Sequence, residues 1–279
     1  MKAERLPYDM GNAGDFIKHG LIAEFTEWWL SINKSDFVFI DPFGGRPYVS
    51  PPHTGVIRRL QQLPDCALKR GQPEIANRYF GSAKLVKNIS TKVKRNVIIK
   101  VSDRNQKAME DLLNEGFEPI QFDGFDSKNS FSIVDCKLSK HEISLLLLDP
   151  FDDFLSQYAD SVIPRLAEIV STWRVPILVF VLCEDWESEA GLKWQQLQDR
   201  FLLPDLMQFS LACQKISNSM IEGETNLNSE AVLLLPYGYG EGHLDQLFNQ
   251  LQKFSVNLSH VLERDVVFKS RGELSMEQV

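Results

Sequence analysis

The sequence predicts an α/β chain built on a mostly parallel, doubly wound sheet with an antiparallel strand at one edge. Apolar runs of strand length alternate with stretches of helical spacing, the rhythm of successive βα units. Some runs, Ser144 to Leu148 above all, are apolar almost throughout rather than at every second position, as a strand covered on both faces requires. Acids close the runs, at Asp41, Asp103, Asp123, Asp149 and Glu184, where a parallel sheet presents its carboxyl ends to ligands.

Taken in order, Phe37 to Asp41 is the first strand and leads into Pro-Phe-Gly-Gly. Thr54 to Leu63 has helical spacing at Val56, Ile57, Leu60 and Leu63, and Glu74 to Asn88 reads as a second helix broken near Gly81-Ser82. Asn96 to Val101 is a β-branched strand, followed by a helix from Gln106 to Glu115 and a short strand from Phe117 to Phe122. Beyond Ser144 to Leu148, Ser156 to Trp173 reads as an amphipathic helix and Val175 to Leu182 as a buried strand. Leu192 to Phe201, Ala231 to Leu235 and Asp245 to Phe254 then read as helix, strand and closing helix.

At 279 residues, 43% hydrophobic and 24% charged, the chain has an ordinary globular composition. Its net charge of -8 lowers the expectation of a nucleic-acid binder. One local basic stretch (Lys84, Lys87, Lys92, Lys94, Arg95) reads first as a solvated helix end and turn. The first nine residues lack the apolar core of a signal peptide. The run from Val175 to Cys183 is too short to span a bilayer. Four cysteines (Cys66, Cys136, Cys183, Cys213) stand apart without a Cys/His cluster, which argues against structural zinc and a disulfide framework. A cytoplasmic protein without a metal site is therefore expected.

The turn after the first strand, Asp41-Pro-Phe-Gly-Gly45, can let a ligand approach the backbone closely, although it lacks a full GxGxxG. Asp103, behind the second strand, stands where a Rossmann half accepts ribose hydroxyls. Asp123-Gly124 is placed for an adenine amine, and Asp149-Pro150-Phe151 combines a carboxylate with an aromatic ring. Each also reads as a capping or core residue; their order and spacing give them weight. Arg46, Tyr48 and His53 lie in a Pro-rich segment that reads either as a loop over the site or as a surface turn, and Trp186 reads first as loop packing. His141 and His243 have no partners in sequence.

Gly11-Asn-Ala-Gly-Asp-Phe-Ile-Lys-His19 resembles the opening segment of the 23S rRNA adenine-N6 methyltransferase family. That family's later motifs have counterparts, in order, in Asp41-Pro-Phe-Gly-Gly45, Gly81-Ser82-Ala83, Asp103, Asp123-Gly124 and Asp149-Pro-Phe-Asp152. The chain also resembles the three-Cys-motif partner family, another methyltransferase-like group with a D-P-F sequence. Both resemblances cover roughly residues 8 to 155.

The resemblance implies a Rossmann-type methyltransferase fold that takes S-adenosyl-L-methionine. It implies that Lys18, His19, Asp41, Phe43, Gly44, Ser82, Asp103, Asp123 and Gly124 form the cofactor site, with Asp149, Pro150 and Phe151 facing the methyl acceptor. Residues 1–36 would then cover the cofactor, 37–255 would form the domain and 256–279 a tail. The acceptor implied is a nucleic-acid base amine, with a protein acceptor as the other possibility. The pattern departs from the rRNA family at Phe43, at Arg46-Pro47 and at Asp152, where that family has histidine, Ala-Gly and tyrosine. Asp152 cannot stack on a base, which leaves Phe151 or Phe154 to do so. A degenerate methyltransferase-fold partner protein, and a binder of another adenosine ligand, are the competing readings.

Overall fold

The structure is a computed structural model describing residues 10–50, 52, 54–74, 77–103, 105–120, 143–149, 175–183, 185–200, 206–213, 228–236 and 238–271. Its centre is a sheet of eight described strands: β1 (Phe37–Asp41), β4 (Val97–Val101), β5 (Glu118–Pro119), β6 (Leu145–Leu148), β7 (Ile177–Cys183), β8 (Leu206–Cys213), β9 (Asn228–Pro236) and β10 (Val266–Arg271). Their order is β10-β8-β9-β7-β6-β1-β4-β5. From β5 through β4, β1 and β6 to β7 every pairing is parallel, whereas β7–β9, β9–β8 and β8–β10 are antiparallel. β2 (Tyr48–Val49) and β3 (Tyr79–Phe80) form a separate antiparallel ribbon.

The chain leaves β1 in one direction to build β4 and β5, then returns to β1's other side to build β6 and β7. That reversal makes the crevice at the carboxyl ends of β1 and β6 the topological switch point of the sheet. The architecture is the Rossmann-type α/β fold expected from the sequence. The antiparallel component is larger than one edge strand, because β9 runs antiparallel inside the sheet.

Strand burial explains the apolar runs. Phe37, Phe39, Leu145, Leu147, Leu178 and Phe180 belong to one core cluster with the helices, and the intervening Val38, Ile40, Leu146 and Val179 are buried as well. Both faces of these strands are therefore covered. The described helices are α1 (Ala13–Ile32), α2 (Thr54–Gln62), α3 (Ala67–Gly71), α4 (Ser82–Lys92), α5 (Gln106–Asn114), α6 (Glu189–Arg200) and α7 (Glu241–Leu262). α1 packs against α3, α4 and α7 and against β7, β8 and β9.

The structure adds a helix over residues 13–32 and departs from the sequence reading over 74–88 and 256–271. Residues 13–32 are a central helix, buried along nearly its whole length, because Phe16, Ile17, Leu21, Phe25 and Trp28 spread apolar surface around it. The helix expected over 74–88 begins only at Ser82. Gln72 hydrogen-bonds both the N–H and C=O of Phe80, and a Cβ on Gly81 would lie 2.3 Å from the Arg46 carbonyl oxygen. Residues 256–262 continue α7 instead of starting a tail, burying Leu258, Val261 and Leu262, and 266–271 form edge strand β10. There Phe268 lies between Phe209 and Phe248, with ring centroids 6.2 and 5.2 Å away. β8, the β2–β3 ribbon and the five-residue α3 complete the elements not anticipated. The helix expected over 156–173 lies outside the described residues.

Among the described residues no helix is long and apolar enough to cross a membrane, and no three His, Cys, Asp or Glu side chains converge as a metal site. Cys66, Cys183 and Cys213 are buried and outside any disulfide.

α1 and α7 meet where Gly20 leaves space for a ring: an added Cβ would lie 2.2 Å from Cζ of Phe254, itself fully buried. Gly20→Ala should lower the unfolding free energy by about 1–3 kcal/mol in a denaturant titration. Gly242→Ala, in the open first turn of α7, should leave it unchanged or raise it by about 0.5–1 kcal/mol.

Candidate functional site

At the switch point the ends of β1, β4 and β6 carry Asp41, Asp103 and Asp149, three of the five strand-terminal acids. The turn after β1 is drawn onto β4: the Gly44 N–H donates to the Ser102 carbonyl at 2.8 Å. An added Cβ at Gly44 would press on Leu112 at 3.0 Å and on the Ser102 oxygen at 3.3 Å. Gly45 adopts φ +60, the left-handed region that favours glycine. Its N–H donates to Asp103 Oδ2 at 2.7 Å, while the Asn105 N–H donates to Oδ1 at 2.6 Å. Asp103 thus fastens the glycine turn to the start of α5, using part of a carboxylate's capacity of about four acceptor sites.

Asp41 is completely buried. Its Oδ1 accepts the Phe43 N–H at 3.1 Å and its Oδ2 accepts the Ser82 hydroxyl. Burial pushes its pKa up to about 7, the nearby Asp149 adds to the rise, and Ser82, Phe43 and Lys18 oppose it. Ser82 is the first residue of α4, and Gly81 before it donates to the Pro47 carbonyl at 2.9 Å. One carboxyl therefore joins β1, its turn and α4.

The N-terminus of α1 forms the opposite wall. Asn12 caps it by accepting the Asp15 N–H at 2.9 Å, and Asp15 accepts the Gly11 N–H at 2.7 Å. One turn on, Lys18 Nζ lies 3.1 Å from Asp15 Oδ1 and donates to Asp149 Oδ2 at 2.6 Å. The ammonium also sits 5.1 Å from the centre of the Phe180 ring. Burial would push the Asp15 carboxyl up, but Lys18, His19 and the Gly11 N–H hold it below its ordinary range. For Asp149 burial wins over Lys18, so its carboxyl lies above that range. The Asp149 side chain keeps 22% exposure, and among the described residues only its Oδ2 is engaged.

His19, next along α1, turns to the β3 ribbon, where its Nδ1 is 2.9 Å from the Tyr79 hydroxyl. Burial, helped by the Lys18 charge, pushes the imidazole pKa down to about 3, so His19 is neutral at neutral pH.

Of the residues expected at the site, Lys18 meets Asp149, Ser82 meets Asp41, and Asp103 meets the turn that carries Phe43 and Gly44. His19 faces Tyr79, and Asp41 is enclosed by protein. Asp123, Gly124, Pro150 and Phe151 lie outside the described residues, as do Arg104, Asp152, Phe154, His53, His141 and Glu184. Trp186 is half-buried in the turn before α6, as loop packing predicts. The basic stretch is engaged structurally: Lys84 pairs with Glu115, Lys87 donates to the Glu115 carbonyl, and Arg95 to carbonyls of residues 30, 33 and 35. Sequence reasoning missed Asp15, Tyr79 and Phe180. The spacing of Asp15 and Lys18, one helical turn apart behind a capping Asn, was a usable signal for the first; nothing local marked the others.

No family model matches the chain, and no curated protein matches it. Among solved structures, protein LPL1258 from Legionella pneumophila str. Philadelphia 1, of the family model DUF519, aligns with a TM-score of 0.62 at 12% identity. The alignment covers 95% of this chain and 99% of that one, and shows a shared fold. The plantazolicin methyltransferase BpumL in complex with SAH aligns at 13% identity and TM-score 0.39, over 78% of this chain and 84% of that one. Precorrin-6y C5,15-methyltransferase from Geobacter metallireducens GS-15 aligns at 11% identity and TM-score 0.35, over 76% and 86%.

The raised carboxyl of Asp41 sets a pH signature. Between its unfolded value near 3.9 and its folded value of about 7, the folded protein keeps a proton that the unfolded chain has released. Its contribution to stability is therefore lost as pH rises through that window. Asp41→Asn should remove this loss, so the stability of the variant relative to the parent should rise by on the order of 1–4 kcal/mol between about pH 4 and 7 in denaturant titrations. A pH-independent difference would refute the assignment.

Proposed function

We propose that the protein is an S-adenosylmethionine-dependent methyltransferase, with the cofactor held at the switch point and the methyl acceptor beside Asp149. The observation that carries this reading is the convergence of Asp41, Asp103 and Asp149 with the glycine turn at the carboxyl ends of β1, β4 and β6. The residues present fit the ligand at its ribose: Asp103 stands beside the left-handed Gly45 turn behind β4, where a Rossmann half accepts ribose hydroxyls. When bound, the cofactor supplies an electrophilic methyl group.

The chain's own residues bind and orient. Asp103 and the Gly44–Gly45 turn would hold the ribose, with Asp123-Gly124 at the adenine. Lys18 fixes Oδ2 of Asp149, leaving Oδ1 to accept a hydrogen bond from the acceptor and to aim its lone pair. A carboxyl raised by burial is also a better proton acceptor than a surface one, so Asp149 can take the proton the acceptor gives up and pass it to solvent. Transfer is an in-line displacement that depends chiefly on this alignment. The resemblance points to a nucleic-acid base amine as acceptor, in a cytoplasmic setting.

A second reading is a binding partner that has lost catalysis. It is favoured by the Lys18–Asp149 bond of 2.6 Å, which occupies one oxygen of the carboxylate the acceptor would need.

Calorimetric titration with S-adenosylmethionine, S-adenosylhomocysteine and ATP separates these readings. The methyltransferase reading expects micromolar binding of the first two, weakened about tenfold or more by Asp103→Ala. Absence of binding would favour the partner protein, and preference for ATP another adenosine ligand. With labelled cofactor and cellular RNA or protein as acceptor, Asp149→Ala should abolish transfer while cofactor affinity changes little. Unchanged turnover would remove Asp149 from the acceptor side.

A further inference from the structure

A second pocket, of about 430 Å³, lies among α2, α3, residues 72–74 and Arg78, a volume within the roughly 300–1,000 Å³ usual for small-ligand sites. Its lining carries four cations, Lys69, Arg70, Arg78 and Lys92, against two acids, Asp65 and Glu74, in a chain whose net charge is -8. Arg70 is neutralised: it pairs with Asp65 at 2.6 Å and with both carboxylate oxygens of Glu27. The other three are held differently.

Each of those three is held by neutral groups. Lys69 Nζ donates to the carbonyls of Gln61, at 3.0 Å, and Leu63. Lys92 Nζ donates to the Arg70 carbonyl at 2.7 Å. The Arg78 guanidinium lies 4.5 Å from the centre of the Tyr48 ring. Among the described residues no carboxylate pairs with any of them. Ile57, Leu60 and Pro73 supply apolar lining to the same pocket.

Cations fixed by carbonyls and an aromatic ring are positioned before a ligand arrives, so less side-chain freedom is lost on binding. Two ammonium groups and a planar guanidinium suit the oxygens of a phosphate, and the apolar lining suits an uncharged body attached to it. We propose that this pocket binds an organic phosphate monoester or diester with a planar or apolar body, of the size of one nucleotide. The ligand is either a free nucleotide or one nucleotide of a single strand; both present the same chemistry. The proposal does not depend on methyl transfer.

Uridine 5′-monophosphate tests it, because it lacks the adenine that the cofactor reading assigns to the switch point. Titrated into the full chain, it should bind, with neutral uridine at least about tenfold weaker. A Lys69→Gln/Arg78→Gln/Lys92→Gln variant should lose about tenfold or more, and Arg78→Gln alone a measurable part of that. Both variants should keep the parent's thermal unfolding curve and its response to S-adenosylmethionine. An octameric oligouridylate that binds more tightly than the monomer, with steep salt dependence, identifies a strand as the source; equal affinity per site identifies a free nucleotide. The proposal is overturned if neither probe binds, if uridine binds as well as its phosphate, or if the variants bind as the parent does.

Discussion

A buried ammonium needs opposite charge close by, and Lys18 finds it on two elements that are distant in sequence: Asp15 one turn back on α1 and Asp149 beyond the end of β6. Removing a charge from water costs several kcal/mol, recovered only with well-placed partners. Lys18 therefore fixes α1 against the carboxyl end of the sheet at one distance, and β7 contributes the face of Phe180. The switch point inherits its shape from this contact.

The other carboxylates there serve the same end. Asp41 ties β1 to α4 through Ser82, and Asp103 ties the glycine turn to α5. Backbone N–H groups and a hydroxyl that would otherwise need water are satisfied by these two carboxyls. Among the described residues, the turn after β1 and the starts of α4 and α5 are thereby held together at the end of the sheet. Labour is divided among its residues as well, since Asp41 and His19 act by holding other groups, while the partly exposed Asp149 can touch a ligand.

Much of the fold was legible because β1, β6 and β7 are buried on both faces and so read as apolar runs, while the half-buried β4 showed itself by its β-branched residues. β8 was not, since Gln208 and Ser210 sit buried within it and interrupt the pattern that marks a covered strand. α3, with five residues, is too short to show a helical period. The error over residues 74–88 had a different source: Gly81 looked like an interruption in a helix, whereas the Arg46 carbonyl beside it makes it the point where helix becomes possible. At the site, Lys18, Asp41, Asp103 and Asp149 were visible as strand ends and motif positions. Tyr79 was invisible because its partnership with His19 exists only after the β3 ribbon is folded onto α1.

The sheet ends in two differently guarded edges. On one side the described part of β5 is only Glu118 and Pro119, a charge and a residue that has no N–H to offer another strand. On the other, β10 carries exposed Lys269 in the middle of its length and, among the described residues, pairs only with β8. A strand arriving from another molecule would have to bury that lysine's charge or forgo hydrogen bonds at the proline. An apolar sheet with open edges is the kind of surface from which aggregates grow, and Pro119 and Lys269 oppose that growth at the two edges of the described strands.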